Sequence, residues 1–452
     1  MKHITVKLDL WDYKQVDATC KLVAEKLGID YGELENDLLS LSQELETYRN
    51  QQEKQGKPTS TAKRLDEHTI SECLSFLKTK DLLKNINQMI EQAGITGEET
   101  NRILLFVIAS SYKMNDTLHG LIQGSSGSGK TRLLKVISEL MPDEDVKRYT
   151  RVTDNSLYNQ DEYFFVNKLV CFEDLDGLKE DAQLAVRELQ SNEILVTSTS
   201  IKDANGSIRG GERIVRGPIA SLSCTTRGEI YEDNISRCFL IAVDESMEQT
   251  KRIIQYQNRM SAGAVNRKSQ EQAKQFLQNC VRLLKPKEVI NPYANQIHLP
   301  EEAHKIRRLN ELYQSFVKQI TLINQYQRQE DKRGRLISKK EDLQLALDIL
   351  FESILLKVDE LDGSLRQFYE KLKTYMEKKG KGEEFTRFEV REATGVSKTQ
   401  QHYYIQKLVE LEYIQQRGYA NRGYKYKIVY WDNIEATRKK IKEYLQKQLD
   451  EL

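Results

Sequence analysis

One octapeptide, Gly124-Ser-Ser-Gly-Ser-Gly-Lys130-Thr131, constrains this chain more than any other feature. It fits the pattern G-x-x-x-x-G-K-[ST], with Gly127 as a further glycine, and such a loop functions only between a strand and a helix. Here the apolar run 118–123 leads into it and the apolar-periodic stretch 131–140 leads out. Gly124, Ser125, Ser126, Gly127, Ser128 and Gly129 then form a cradle of backbone N–H groups around a phosphate. The helix N-terminus adds the positive end of its dipole. Lys130 is placed to reach the β- and γ-phosphates, and the Thr131 hydroxyl to bind Mg²⁺, so the implied cofactors are ATP and Mg²⁺.

Around the loop the pattern is that of an α/β layer. Residues 118–123, 166–172, 194–200 and 219–225 read as strands, and 131–140 and 180–190 as helices, which predicts a largely parallel sheet. The rest reads as helix, in keeping with only six prolines in 452 residues. Helices are expected over 16–27, 31–48, 69–94 and 98–112, and again through 245–362. The polar stretch 51–63 has linker composition. The end, 363–435, reads as three helices and then two strands with a turn near 418–423. The expected organisation is an N-terminal helical region and linker (1–63), a helical region ahead of the core (64–117), and the α/β P-loop core (118–245). A helical middle region (246–362) and a C-terminal winged helix-turn-helix with a final helix (363–452) complete it.

Composition excludes several classes. The six cysteines are scattered without a C-x-x-C pair, which argues against a zinc site or a disulfide framework and suits a reducing cytoplasm. The first ten residues lack the apolar core of a signal peptide. The most apolar run, 103–109, is far too short to cross a membrane. With a net charge of +1, any nucleic-acid footprint must come from local patches.

Three further features bear on the site. An apolar strand ends in Glu173-Asp174, followed by Leu175-Asp176, and acids delivered beside a phosphate loop suit a Mg²⁺-orienting motif. Glu173 is assigned to the metal and Asp174 to the attacking water, with Asp176 in reserve, although the order is inverted from the usual Asp-Glu. The competing reading is an exposed acidic turn. Thr225, at the next polar strand end, is a candidate sensor of the γ-phosphate or an ordinary strand residue. Arg237, closing Glu232-Asp-Asn-Ile-Ser236 ahead of a strand, stands where ring ATPases place a finger on the neighbour's nucleotide, and its alternative is a surface ion pair.

Taken together with Gly97-Glu-Glu-Thr-Asn101, Leu189-Gln-Ser-Asn, Thr197-Ser-Thr, Asn291-Pro-Tyr-Ala, Asn324-Gln-Tyr-Gln-Arg328, Glu389-Val-Arg-Glu-Ala-Thr-Gly395 and Leu408-Val-Glu-Leu-Glu-Tyr413, the chain resembles AAA+ ATPases. It is most similar to the helicase-like ATPases of bacterial mobile elements, which are related in plan to the mini-chromosome-maintenance helicases. The match is with proteins that fuse a zinc-finger primase region to such an ATPase. The resemblance implies a ring-forming, hexameric, ATP-driven DNA motor. No primase region is visible in the sequence, so priming is expected to be absent or supplied by another polypeptide.

Two segments are candidate DNA contacts. Residues 194–216 alternate as a hairpin around Asp203-Ala-Asn205-Gly206, with Lys202, Arg209, Arg213 and Arg216 outnumbering two acids. The resemblance implies that this hairpin points into a ring pore, with Lys202 and Arg209 at its tip, while its alternative is a charged solvent hairpin. In the C-terminal winged helix, Lys398, Gln400, Gln401 and Tyr404 fall on the early turns of the recognition helix, and Arg417, Arg422, Lys425 and Lys427 on the two strands and the turn between them. Three functions compete: a helicase or translocase, an initiator or loader switched by ATP, and a signalling ATPase. The last is ranked lowest because no sensor repeats are present.

Overall fold

The computed structural model describes residues 5–6, 8, 10, 13–54, 64–202, 208–226, 237–303, 305–359, 361, 363–419 and 423–452. The chain divides into two compact units at Lys63 and Arg64. In the first, α1 (Tyr13–Leu27) turns at Gly28 into α2 (Tyr31–Lys54). Val16 and Cys20 are buried there, and the Tyr31 hydroxyl donates to Asp17 at 2.8 Å.

The second unit opens with α3 (Glu67–Leu77), α4 (Leu82–Gln92) and α5 (Glu99–Ser110). The sequence reads as one helix over 69–94, yet the structure breaks it. Asp81 adopts a left-handed φ of 55°, and Asn85 braces the corner by donating to the Thr79 hydroxyl at 2.9 Å and the Lys80 carbonyl at 3.1 Å. The break swings Leu82, Leu83, Ile86 and Ile90 into the core.

Five strands form one parallel sheet: β1 (His119–Gln123), β2 (Val146–Tyr149), β3 (Lys168–Phe172), β6 (Ile219–Thr225) and β7 (Phe239–Ala242). Their order is β2-β3-β6-β1-β7, so β6 stands between the strand that feeds the phosphate loop and the strand that delivers the acids. Strand β2, Val-Lys-Arg-Tyr, is a half-exposed edge strand without an apolar run, and the sequence reading has no counterpart for it. Among the described residues, the remaining strands of this region, β4 (Ile194–Lys202) and β5 (Ile208–Arg216), pair only with each other, as a long antiparallel ribbon. Its turn, 203–207, lies outside the described residues.

Alternate side chains send the sheet's two faces into two cores. Ile122, Cys171, Leu222 and Ile241 pack with α5 and α6 (Lys130–Ser138). Val170, Phe172 and Ile219 pack with α7 (Glu180–Ser191). The first core is by far the larger, because α8 (Met247–Ser261), α9 (Arg267–Leu283), α10 (Ile306–Ile323) and α11 (Lys340–Val358) follow the sheet, and the last three extend it. A short parallel pair, β8 (Val289–Ile290) with β9 (Leu336–Ile337), ties this helical part together.

The C-terminal lobe has its own core of Leu365, Phe368, Tyr369, Phe385, Ile405 and Tyr426, among others. It comprises α12 (Gly363–Lys379), α13 (Arg387–Thr394), α14 (Lys398–Glu410) and an antiparallel hairpin of β10 (Ile414–Tyr419) and β11 (Gly423–Ile428). The chain then leaves the lobe as α15 (Ile434–Asp450), whose Ile441, Leu445 and Leu449 return to the main core against α11.

Candidate nucleotide-binding site

The octapeptide lies at the C-terminal end of β1 and opens α6, with Gly127 and Gly129 at φ of +83° and +99°. Gly124 is required by close approach, since a Cβ there would meet Val243 Cγ2 at 2.5 Å and Ser128 Oγ at 2.7 Å. Lys130 folds back over the loop, and its Nζ donates to the carbonyls of Gly124 at 2.8 Å and Ser125 at 2.6 Å. Burial lowers its pKa, and Cys224, Glu245, Asp176 and Asp174 act in the opposite sense. Ser128 Oγ is buried without a hydrogen-bond partner, whereas the Thr131 side chain at the first turn is exposed. An ammonium satisfied by neutral carbonyls, an orphan hydroxyl and two left-handed glycines at a helix N-terminus fit a polyphosphate.

The acidic turn reaches this loop across β6. Asp176 accepts from the Thr225 hydroxyl at 2.7 Å, from the Thr226 amide at 2.7 Å and from its hydroxyl at 2.9 Å. Thr225 in turn is in register with Gln123, the last residue before the loop. Asp176, held in reserve on sequence grounds, is therefore the residue that fastens the acidic turn to the Thr225 strand end. Asp174 turns to its own backbone, accepting from the amides of Asp176 at 3.1 Å and Gly177 at 3.3 Å, and is exposed. Glu173 leaves β3 half-buried, its amide bonded to the Tyr149 carbonyl at 3.1 Å. Among the described residues no group of three or more His, Cys, Asp or Glu is placed to hold a metal. A Mg²⁺ here would rest on Thr131, one or two of these carboxylates and the phosphates themselves, which is how that ion is usually bound.

Sequence reasoning did not name Glu245. Its carboxylate accepts from the Ser125 amide at 2.5 Å and the Ser125 hydroxyl at 2.8 Å. It lies just past the end of β7 at Ala242 and precedes Ser246, the cap of α8. The surrounding segment is fixed by the Gly97–Asn101 motif. Asn101 Nδ2 donates to the Ala242 carbonyl at 2.8 Å, and Glu98 accepts from the Asp244 amide at 2.8 Å. Gly97, at φ of +68°, lies against Gln249 of α8, where a Cβ would come within 2.0 Å of Oε1. An acid a few residues past a short strand carries no local signature, and only the sheet order brings it to the loop.

Arg237 lies at the other end of the sheet. Gly120 is in register with Phe239, so Arg237, two residues earlier, is level with Leu118. About six residues of strand, roughly 20 Å at about 3.3 Å per residue, separate that level from Gly124. Nearby, His119 is buried between the Ser221 hydroxyl (3.1 Å) and the Gln190 carbonyl (3.2 Å). Burial holds its pKa down to about 4, the Gln190 carbonyl opposes this, and the Arg237 charge adds to it.

The candidate DNA contacts divide. Lys202 is the last residue of β4 and Arg209 the second of β5, where Lys202 pairs with Ile208 and Ile201 with Arg209. Arg213 and Arg216 are engaged lower down, by Asn159 and Glu162. Lys398 is exposed, but Gln401 and Tyr404 are buried. Gln401 donates to the Arg387 carbonyl and Tyr404 packs on Phe368, so both side chains are engaged within the lobe itself. Helical spacing put them on one early-turn face, and that face is the one α14 turns to its own lobe. Arg417 and Lys425 share Glu384, at 3.7 and 3.6 Å. Arg422 and Ser236 lie outside the described residues.

Two comparisons bear on this site. The family model of the MTBMA_p00010 P-loop domain matches residues 67–287, from the first residue of α3 to just past α9. No curated protein is matched. The matched segment contains the phosphate loop, the acidic turn and all five strands of the parallel sheet, and the chain carries a P-loop NTPase domain. Among the described residues no helix is long and apolar enough to cross a membrane.

Proposed function

We propose that the chain is an ATP-driven DNA helicase or translocase of the AAA+ type, working as a homo-oligomeric ring, most simply a hexamer. Gly124 through Gly129 with Lys130 hold the phosphates, Thr131 and Glu173 hold Mg²⁺, and Asp174 polarises the attacking water. Thr225, oriented by Asp176, senses the γ-phosphate. Mg²⁺, when bound, offsets the charge on the phosphate oxygens. The observation that carries the reading is the level of Arg237. It lies with the N-terminal ends of the strands, too far from its own loop for a side chain to span. An always-charged guanidinium there serves a nucleotide only across a subunit boundary.

DNA contact is assigned to two places. The β4–β5 hairpin presents Lys202 and Arg209 to the pore, while Arg213 and Arg216 brace its base. The C-terminal lobe reads as a winged helix, with α13 and α14 as the helix-turn-helix and β10–β11 as the wing. Lys398, Arg417 and Lys425 contact phosphates, and the buried Gln401 and Tyr404 support the core instead. Any priming belongs to a separate replication protein.

Strand displacement on forked DNA tests the motor, with ATP and with a non-hydrolysable analogue. Arg237→Ala should still bind ATP and assemble yet hydrolyse about 10³- to 10⁵-fold more slowly. Mixing it with Lys130→Ala should restore some hydrolysis at interfaces pairing an intact loop with an intact finger. A chain that stays monomeric with ATP and DNA, and hydrolyses equally fast without Arg237, would end the ring reading. A second reading, an initiator or loader that uses ATP as an assembly switch, draws support from Glu245, which joins the loop to the start of α8. ATP-dependent DNA binding without strand displacement would favour it.

A further inference from the structure

Among the described residues of the C-terminal lobe, the most exposed aromatic ring is that of Phe388. Phe388, on α13, is 66% exposed, whereas Phe385 is fully buried and stacks on Tyr426. Phe388 rims a shallow hollow whose walls include Arg387, Arg391, Lys398, Thr399 and His402, with no acid among its lining residues. The Arg391 guanidinium stands 5.7 Å from the centre of the Phe388 ring. Arg387 is held in place by the Tyr426 hydroxyl at 2.8 Å and lies over that ring at 5.6 Å.

The charge in this hollow is not neutralised. Among the described residues, none of the ion pairs involves Arg387, Arg391 or Lys398, whereas Arg417 and Lys425 on the hairpin share Glu384. Three cations free of ion pairs thus stand beside Phe388, while on the hairpin Arg417 and Lys425 share a single carboxylate. A ring flanked by cations that make no ion pair is complementary to a group with both a flat π-face and a negative charge. A nucleotide has both. A base inside a duplex is already stacked on its neighbours, so only an unpaired base is free to use the ring. An acidic peptide would satisfy the cations and leave the ring bare.

We infer that this hollow holds one unpaired nucleotide of a DNA strand, its base stacked on Phe388 and its phosphate among Arg391, Lys398 and His402. The inference rests on the reading of the lobe as a DNA-binding module and adds to it a preference for single-stranded DNA. The test uses the full chain and fluorescence anisotropy with a labelled oligodeoxythymidine and a labelled duplex of equal length. Phe388→Ala should weaken single-strand binding about tenfold and duplex binding far less, and Phe388→Tyr, which keeps the π-face, should restore it. An oligonucleotide carrying 2-aminopurine should be quenched by the wild-type chain and the Tyr variant but not by the Ala variant. Matching thermal melts confirm that the variants fold. Equal binding by wild type and Phe388→Ala, equal loss on both DNAs, or displacement of the oligonucleotide by poly-glutamate at matched charge overturns the site while leaving a DNA-binding lobe intact. If the wild-type chain binds neither DNA, the reading of the lobe falls and the site falls with it.

Discussion

The phosphate loop and the corner around Arg328 both draw charged and hydroxyl side chains from motif-like stretches of sequence, yet they differ in what is left over. At the corner nothing is. Asp342 is fully buried and accepts from Arg328 Nε at 2.8 Å and Nη2 at 2.5 Å, from the Thr321 hydroxyl at 3.1 Å and from the Lys339 amide at 3.0 Å. Gln325, Tyr326 and Gln327 of the same motif donate to the carbonyls of Leu322, Leu283 and Leu77, stitching α9, α10 and α3 together. At the loop, a buried hydroxyl is unsatisfied, a lysine has only carbonyl partners, and Thr131 and Asp174 face solvent. A closed polar cluster is structural and an open one is built for a ligand, since nature rarely leaves buried polar groups unpaired without a use. Substitutions at the two should therefore separate cleanly into effects on stability and effects on turnover.

The largest separation is expected at Lys130. Lys130→Ala should abolish phosphate release from ATP while its melting curve stays close to wild type. Turnover at the wild-type rate in this variant would remove the loop from the chemistry. In the opposite direction, Asp342→Ala strands a buried guanidinium and should cost about 3 to 5 kcal/mol in urea unfolding. KM for ATP, measured below the melting range, should stay unchanged. A shifted KM would mean that the corner is not purely structural.

His119 tests a third polar cluster, closed like the corner but on the sheet itself. Its folded pKa of about 4 lies below the ordinary 6.5, so the unfolded chain binds the proton more readily. Its contribution to stability is complete above pH 6.5 and is lost as pH falls towards 4, amounting to about 3 kcal/mol. Unfolding midpoints compared at pH 7 and pH 4.5 should show the loss in the wild type and a shallower one in His119→Gln. Asp176→Asn should lower kcat by about tenfold with little change in KM, because Thr225 loses a charge-assisted hydrogen bond of about 1.5 to 3 kcal/mol. The smallest effect is expected at Glu245. Removing a carboxylate beside the phosphate site, as Glu245→Gln does, should tighten nucleotide binding a few-fold, for about 1 kcal/mol of relieved repulsion. Weaker binding would show instead that Glu245 chiefly holds the loop in shape.

What was legible in the sequence follows from how local each signal is. The loop was readable because its glycines, lysine and threonine are contiguous and sit between an apolar run and a periodic one. Strands β1, β3 and β6 were readable because buried parallel strands are continuous apolar runs. Strand β2 was not, because an edge strand of Val-Lys-Arg-Tyr has no such run. The break between α3 and α4 was hidden because Lys80 and Asp81 are unremarkable within a helical pattern, and only Asn85 closing the corner makes it stable. Gln401 and Tyr404 illustrate a related limit: periodicity groups residues on a face without saying whether that face meets solvent or core. Asp176 and Glu245 owe their roles to the sheet order, which sets distant segments side by side.

The path of the chain through the C-terminal lobe has a mechanical consequence. The lobe leaves the main body after α11 and is pinned back to it by α15, so it is tied down at both ends, like a carabiner on a doubled rope. A pull on whatever the lobe grips is shared between two strands of chain, and the lobe cannot trail freely behind the body. For the same reason, cutting the chain at 363 would take Ile441, Leu445 and Leu449 out of the main core along with the lobe. Removing the lobe alone means excising it between its two tethers and splicing α11 to α15, which run side by side.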